Sequence, residues 1–222
     1  GKVMIMTDQD HDGSHIKGLL FNLFQALWPS LFEYSGFLNG MLTPVVKAKK
    51  GKKSLSFYSV KDYEMWLEQN SGAKTWSCKY YKGLGTSTPA EAKEYFRDLK
   101  IVEYDGKNEK DTTAINLAFS KHDTSANNRK QWLSNYDRNN TLDYNKKKVA
   151  ISEFVNRDLI HFSNSDNVRS IPNLIDGLKP SQRKVLYCAF KRNLTKEIRV
   201  AQLAGYVSEH GAYHHGETSL QG

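Results

Sequence analysis

The feature that most constrains this chain is an acidic run that lies between an apolar strand and an apolar helical stripe. Val3 to Met6 form a four-residue apolar segment, the length of a buried strand. Asp8, Asp10 and Asp12 follow, and from His15 the apolar residues recur at helical spacing. Alternate residues of an extended segment face the same side, so we expect three carboxylates to lie together at a strand end. A cluster of like charges is tolerated when a cation lies among them.

Carboxylate oxygens are hard ligands, and they predict Mg²⁺ or Ca²⁺ at this run. The string Asp-x-Asp-x-Asp-Gly also begins an EF-hand calcium loop, but that loop needs a glutamate at its twelfth position, where this chain has Leu19. A magnesium site formed by Asp8, Asp10 and Asp12 at the edge of an α/β sheet fits better. Magnesium held by few carboxylates keeps coordination positions open for a phosphate. The purely structural alternative is an acidic turn that caps the following helix near Ser14.

The order of predicted elements is typical of an α/β domain followed by a mostly helical segment. The clearest helix start is Thr88-Pro89-Ala90-Glu91, a capping box with proline at the first helical position. The polar stretch 134–148 is the best candidate boundary, so we place the first domain at 1–143 and the second at 144–222. Two helices, a turn and a third helix in the second part match a helix-turn-helix. The predicted strands are 3–6, 37–48, 54–60 and 76–82, and the predicted helices are 15–36 with a break at Pro29, 61–69, 88–99, 123–132, 149–162, 180–192, 195–209 and one after His215.

The charge balance points to an acidic partner. The chain has 222 residues, and its formal net charge is +8. The basic residues cluster, which is the pattern expected of proteins that contact nucleic-acid phosphates, although a solvated face gives the same pattern. The clusters are Lys47, Lys49, Lys50, Lys52 and Lys53; Lys146, Lys147 and Lys148; and Lys179, Arg183, Lys184, Lys191 and Arg192.

Composition excludes several classes of protein. With 39% hydrophobic and 12% aromatic residues the chain is rich enough for a packed core, so whole-chain disorder is excluded. We expect neither a membrane span nor a signal peptide, because the long apolar run and the basic leader that these need are missing. Cys78 and Cys188 are too few for a disulfide framework or a zinc site, which favours an intracellular protein. The ends give the impression of an interior piece of a longer chain.

Five segments resemble motifs of one family, the type IIA DNA topoisomerases, and they occur in that family's order. The first two are similar to motifs of its TOPRIM domain, and the last three to its winged-helix domain and helix-turn-helix. Joining both parts in one chain resembles the eukaryotic enzymes rather than the two-subunit bacterial gyrase. The segments are Met6 to His15, Tyr80-Tyr81-Lys82-Gly83-Leu84-Gly85-Thr86-Ser87, Arg169-Ser170-Ile171-Pro172 with Asp176 to Leu186, Gln202-Leu203-Ala204-Gly205, and Tyr213-His214-His215-Gly216-Glu217.

The resemblance implies an enzyme that cuts both strands of a duplex through a tyrosyl phosphodiester, passes a second duplex through, and reseals the break with ATP. It implies Mg²⁺ on Asp8, Asp10 and Asp12, ATP bound outside this chain, double-stranded DNA and a second copy as partners, and a nuclear location. Asp8, Asp10, Arg183 and His215 match catalytic positions. The positions matching DNA contacts are Arg129, Lys130, Lys179, Arg183, Tyr213, His215 and Ser219.

The chain also departs from the family. It has no Arg-Tyr pair and therefore no catalytic tyrosine, and neither the family's upstream glutamate nor its ATPase domain is present. We therefore expect this chain alone neither to cleave nor to relax DNA. Two other functions stay open: another TOPRIM enzyme, such as a primase or nuclease, and a non-enzymatic DNA-binding module with structural aspartates. A zinc pair at His214 and His215 lacks the cysteine or carboxylate spacing that would complete it.

Overall fold

A computed structural model describes residues 1–81, 83–213 and 215–222, so Lys82 and His214 lie outside the described residues. The sequence hypotheses that involve those two, the end of the strand at 76–82 and the zinc pair, are not addressed there. Contacts divide the chain into two compact units, Gly1–Ser163 and Asn164–Gly222, which are described separately below. The domain limits drawn at residue 143 stay a prediction. Among the described residues, no helix is long and apolar enough to cross a membrane.

The first unit is built on two small sheets. One has the order β1-β2-β6-β7, with β2 and β6 antiparallel and the outer pairs parallel; the other has the order β4-β3-β5 and is antiparallel. Its elements are β1 (Val3–Ile5), α1 (His11–Leu27), α2 (Pro29–Phe32), β2 (Leu38–Met41), β3 (Val46–Lys50), β4 (Lys53–Phe57), α3 (Val60–Gln69), β5 (Ser77–Tyr80), α4 (Pro89–Arg97), β6 (Ile101–Asp105), α5 (Glu109–Phe119), α6 (Ser125–Ser134), β7 (Lys148–Ala150) and α7 (Ile151–Phe154). A π-helical turn (Val155–Leu159) joins α7 to α8 (Ile160–Ser170), the helix within which the chain passes into the second unit.

Aromatic side chains form the centre of the first core. Phe21 of α1, Tyr104 of β6 and Phe154 of α7 are almost completely buried, and their ring centroids lie 4.9 to 5.6 Å apart in tilted or edge-on pairs. Such geometries are favourable beyond the area they bury. The three rings therefore join a helix, a strand and the helical run that begins at Ile151.

A buried ion pair lies beside this core. Asp158 of the π-helical turn accepts hydrogen bonds from Ser14 Oγ at 2.8 Å and from Tyr144 Oη at 2.6 Å. Lys17 Nζ of α1 lies 3.7 Å from Asp158, and both side chains are at least 90% buried. Burial alone would lower the pKa of Lys17, but Tyr104 and Asp158 outweigh it and raise that pKa, so the ammonium stays charged. The pair fixes the first turns of α1 against the helical run.

The second sheet is held to α4 by a network of charges. Lys47 of β3 is 2% exposed and lies 3.1 Å from Glu94. Lys79 of β5, on the same sheet face, lies 2.9 Å from Glu91, which also accepts a hydrogen bond from Tyr81. Burial would raise the pKa of Glu91, but the Thr88 backbone N–H, Tyr81 and Lys79 outweigh it and lower the pKa to about 2. Both carboxylates therefore face lysines as ionised groups at neutral pH.

The second unit has a small core of its own. It contains α9 (Pro180–Lys191), α10 (Val200–His210) and α11 (Glu217–Gln221). Cys188, Val207 and Tyr213 are its buried apolar residues. The preceding segment exposes Leu174 and Ile175 almost fully. The helix-turn-helix pattern read from the sequence corresponds to α9, α10 and the turn before α11.

The structure confirms the α/β pattern followed by helices and corrects several boundaries. The Thr88 capping box is formed, and α4 begins at Pro89 as predicted. The strand predicted over 37–48 is two strands in different sheets, because Leu42 to Val45 carry the chain from one sheet to the other. Sequence reasoning missed β6, α5 and β7, which are short or lack a clear apolar period. The helix predicted from residue 15 begins at His11, for a reason given below.

Replacing Asp158 by alanine should lower the free energy of unfolding by about 3–5 kcal/mol, because it leaves the Lys17 cation buried without its partner. Urea unfolding of the chain measures this loss. Glu68→Ala on the exposed face of α3 is the control and should change stability by less than about 0.5 kcal/mol. Equal midpoints for the two variants would show that the buried pair contributes nothing.

Candidate magnesium and nucleic-acid site

The acidic run is a junction between β1 and α1. Asp10 is the N-cap of α1, and its Oδ1 accepts a hydrogen bond from the Gly13 backbone N–H at 2.8 Å. Because this bond satisfies a first-turn donor, the helix starts at His11 rather than at His15. Asp12 therefore lies in the first helical turn and not on an extended segment, so the predicted alternation holds for Asp8 and Asp10 but is wrong for Asp12.

Asp8 is held by the second TOPRIM-like segment. The Leu84 backbone N–H donates to Asp8 Oδ1 at 2.6 Å. A Cβ added at Gly83 would lie 2.7 Å from Asp8 Oδ2 and 2.8 Å from Asp8 Cγ, so only glycine leaves room for the carboxylate. The Gly83 φ of 177° is open to any residue, and the requirement is for space alone. Two motifs far apart in the sequence thus meet at one carboxylate.

The described residues contain no group of three or more His, Cys, Asp or Glu side chains arranged to hold a metal ion. The chemistry of the pair Asp8 and Asp10 still suits magnesium, which is commonly held by one or two carboxylates together with water and substrate phosphates. Each of the two carboxylates has one oxygen in a hydrogen bond to a backbone N–H. The magnesium site and the role of Asp12 in it stay a prediction.

Behind the junction lies a polar pocket that sequence reasoning missed. A cavity of about 370 Å³ is lined by Asp10, His11, Tyr144, Asp158 and His161, among others. The His11 ring stacks on His161 with centroids 6.0 Å apart, and burial together with His161 lowers the pKa of His11. Asp158 lies 144 residues from Ser14 in the sequence, so no local pattern could have indicated their contact.

Two basic residues lie on α6. Arg129 Nη1 donates to the Ser120 carbonyl oxygen at 3.0 Å and is half-buried. Lys130 is exposed. Arg129 therefore has a fixed orientation, whereas Lys130 is open to solvent; both are in the first unit with the acidic junction.

The remaining predicted residues belong to the second unit. Lys179 precedes α9 and is half-buried, and its backbone N–H donates to Gln182 Oε1 at 2.9 Å. Arg183 is bound to Asp176, with Nη2 2.8 Å from Asp176 Oδ2, and this contact lowers the pKa of Asp176. A phosphate that binds Arg183 has to compete with that carboxylate.

The turn before α11 carries the other predicted contacts. Tyr213 is 9% exposed and packs with Cys188 and Val207, so most of its ring serves the core. His215 is exposed, with its ring 5.5 Å from that of Tyr213. Ser219 is exposed on α11. A ligand therefore meets His215 and Ser219 first.

Two family descriptions match most of the chain. The C-terminal associated domain of TOPRIM matches residues 41–167, and the DNA gyrase/topoisomerase IV family matches residues 169–222. Among similar proteins, DNA topoisomerase 2 of Arabidopsis thaliana is 56% identical, that of Saccharomyces cerevisiae is 53% identical, and DNA topoisomerase 2-beta of Homo sapiens is 51% identical, each over 99% of this chain. The chain spans only 14 to 16% of the length of these relatives.

A solved structure agrees with these matches. The DNA-binding, cleavage and re-ligation domain of Plasmodium falciparum topoisomerase II is similar with a TM-score of 0.82 and 50% identity, and the match covers 100% of this chain and 30% of that one. The likeness extends over both units.

Replacing Gly83 by alanine should displace the Asp8 carboxylate and break its bond to the Leu84 N–H, lowering the free energy of unfolding by about 1–2 kcal/mol. Thermal unfolding measures the loss, and faster hydrogen exchange at the Leu84 amide locates it. Gly85→Ala is the matched control, because a Cβ there has no atom within 4 Å. If both glycine variants unfold alike, the close approach at Gly83 is of no consequence.

Proposed function

The chain belongs to the eukaryotic type II DNA topoisomerases, and we propose that it is the part of such an enzyme that binds duplex DNA and supplies carboxylates for magnesium-dependent strand cleavage. In the whole enzyme this part acts with an ATPase domain, with a catalytic tyrosine that this sequence does not contain, and with a second copy of the chain. The proposal includes the nuclear location expected of an enzyme that acts on chromosomal DNA.

What supports the proposal most directly is the position of Asp8 and Asp10. They lie at the end of β1, each with one oxygen bound to a backbone N–H. These hydrogen bonds hold the carboxylates in place before any ligand binds, which is the preorganisation that a catalytic charge needs. A magnesium ion held there supplies positive charge to a phosphodiester at the moment of cleavage.

The basic residues have a second role, which is to hold the duplex. Arg129 and Lys130 on α6, and Lys179, Arg183, His215 and Ser219 of the second unit, offer the donor types that bind phosphate oxygens. Contacts to phosphates carry no sequence information, so we propose binding without sequence preference. Arg183 would exchange Asp176 for a scissile phosphate, with little change in the charge around its guanidinium.

The test is Asp10→Asn in the full-length enzyme. Asparagine is as good an N-cap as aspartate, so the start of α1 should survive while the negative charge is lost. We expect DNA cleavage to need at least about tenfold more Mg²⁺, because one of few charged ligands is gone. DNA affinity should stay within about twofold, since it depends on the basic residues.

The control for this experiment is Lys179→Ala, which should weaken DNA binding at every sequence and leave the Mg²⁺ requirement unchanged. Magnesium titrations of cleavage and salt titrations of binding separate the two variants. Cleavage by Asp10→Asn at the wild-type Mg²⁺ concentration would mean that the carboxylate serves only as a helix cap.

A further inference from the structure

Two lysine clusters that are alike in the sequence differ in the structure. In the cluster at 146–148, Lys146 lies 2.7 Å from Glu153, and Lys148 lies 3.3 Å from Glu103 and 2.8 Å from Asp105. These lysines are neutralised by carboxylates of the first unit. They tie elements of the fold together and need no external anion.

The cluster at 47–53 divides into a buried part and an exposed part. Lys47 is buried against Glu94, as described above. Lys49, Lys50, Lys52 and Lys53 surround the turn between β3 and β4 and are exposed; we refer to them as the hairpin tip. None of these four forms an ion pair within the described part of the chain. The fold thus provides a carboxylate for the lysine that it buries and none for the four at the tip.

The register of the hairpin places like charges against each other. Lys50 and Lys53 are directly opposed residues of the two strands. Like charges in this position destabilise a hairpin. Lys50 Nζ donates to Thr75 Oγ1 at 2.8 Å, which brings the tip close to the segment that carries the exposed Lys74. An anionic partner would remove this repulsion on binding.

We propose that the hairpin tip is a contact for the phosphate backbone of duplex DNA, separate from the acidic junction and from α6. Lysine is a compact point charge on a flexible stem, so four of them can follow phosphates without a fixed geometry. Duplex DNA carries about one charge per 1.7 Å of axis and releases counterions when lysines neutralise it. The hairpin tip therefore adds affinity that depends on salt and not on sequence. This inference rests on the proposed function, since it assumes that DNA is the partner.

The experiment compares three variants of the chain by fluorescence anisotropy with a labelled duplex at increasing salt. The tip variant carries Lys49→Gln, Lys50→Gln, Lys52→Gln and Lys53→Gln. The dispersed control carries Lys107→Gln, Lys110→Gln, Lys147→Gln and Lys196→Gln, all exposed, and so loses the same charge. The α6 variant carries Arg129→Ala and Lys130→Ala. Thermal unfolding should show the tip variant to be at least as stable as the wild type, because the repulsion between Lys50 and Lys53 is gone.

We expect the tip variant to bind at least about tenfold more weakly at low salt, with a plot of log affinity against log salt that is shallower by about 2 to 3. The dispersed control should lose less than about threefold. Equal losses in the tip variant and the control would reduce the effect to net charge and overturn the inference. Unchanged DNA binding by the tip variant, with loss of binding to polyglutamate, would overturn it in favour of an acidic protein partner.

The α6 variant separates this inference from the proposed function. If the tip variant loses affinity while the α6 variant binds like the wild type, the hairpin contact stands and the proposed role of α6 fails. If only the α6 variant loses affinity, the hairpin inference fails and the proposed function stands. Wild-type binding that does not change with salt contradicts both.

Discussion

The contact between Asp158 and the start of α1 is the interaction on which the candidate site depends. Ser14 and Lys17 belong to the first two turns of α1, and both reach the same buried carboxylate. Asp10 caps that helix one turn earlier, and Asp8 precedes the cap. The acidic junction is therefore anchored from below by a buried charge and from the side by the Leu84 N–H. Because a buried ion pair is costly to break, the junction keeps one geometry.

The sequence predicted much of this arrangement, and the parts that it missed share a physical cause. The apolar run of β1, the Thr88 capping box and the proline that starts α9 are local signals, and the elements that they predict are present. The contact of Gly83 with Asp8 and that of Asp158 with Ser14 join residues far apart in the chain. Nothing in the neighbouring sequence encodes either contact, so only the folded structure shows them.

Charge patterns were the least informative part of the sequence. Lys47 and Lys49 belong to the same lysine run, yet one is buried against Glu94 and the other is exposed. Arg183 matched a phosphate-binding position, and in the structure it holds Asp176. The partner of a charge depends on which strand or helix lies beside it, and composition does not contain that information.

The hydrogen bonds at the acidic junction also bear on which cation fits there. Gly13 N–H occupies one oxygen of Asp10, and Leu84 N–H occupies one oxygen of Asp8. Each carboxylate therefore presents a single free oxygen, and two-oxygen chelation by either one competes with a backbone hydrogen bond. Calcium readily takes both oxygens of a carboxylate and six to eight ligands in all, whereas magnesium takes single oxygens in a tight octahedron. Backbone hydrogen bonding at this junction thus discriminates against the larger ion.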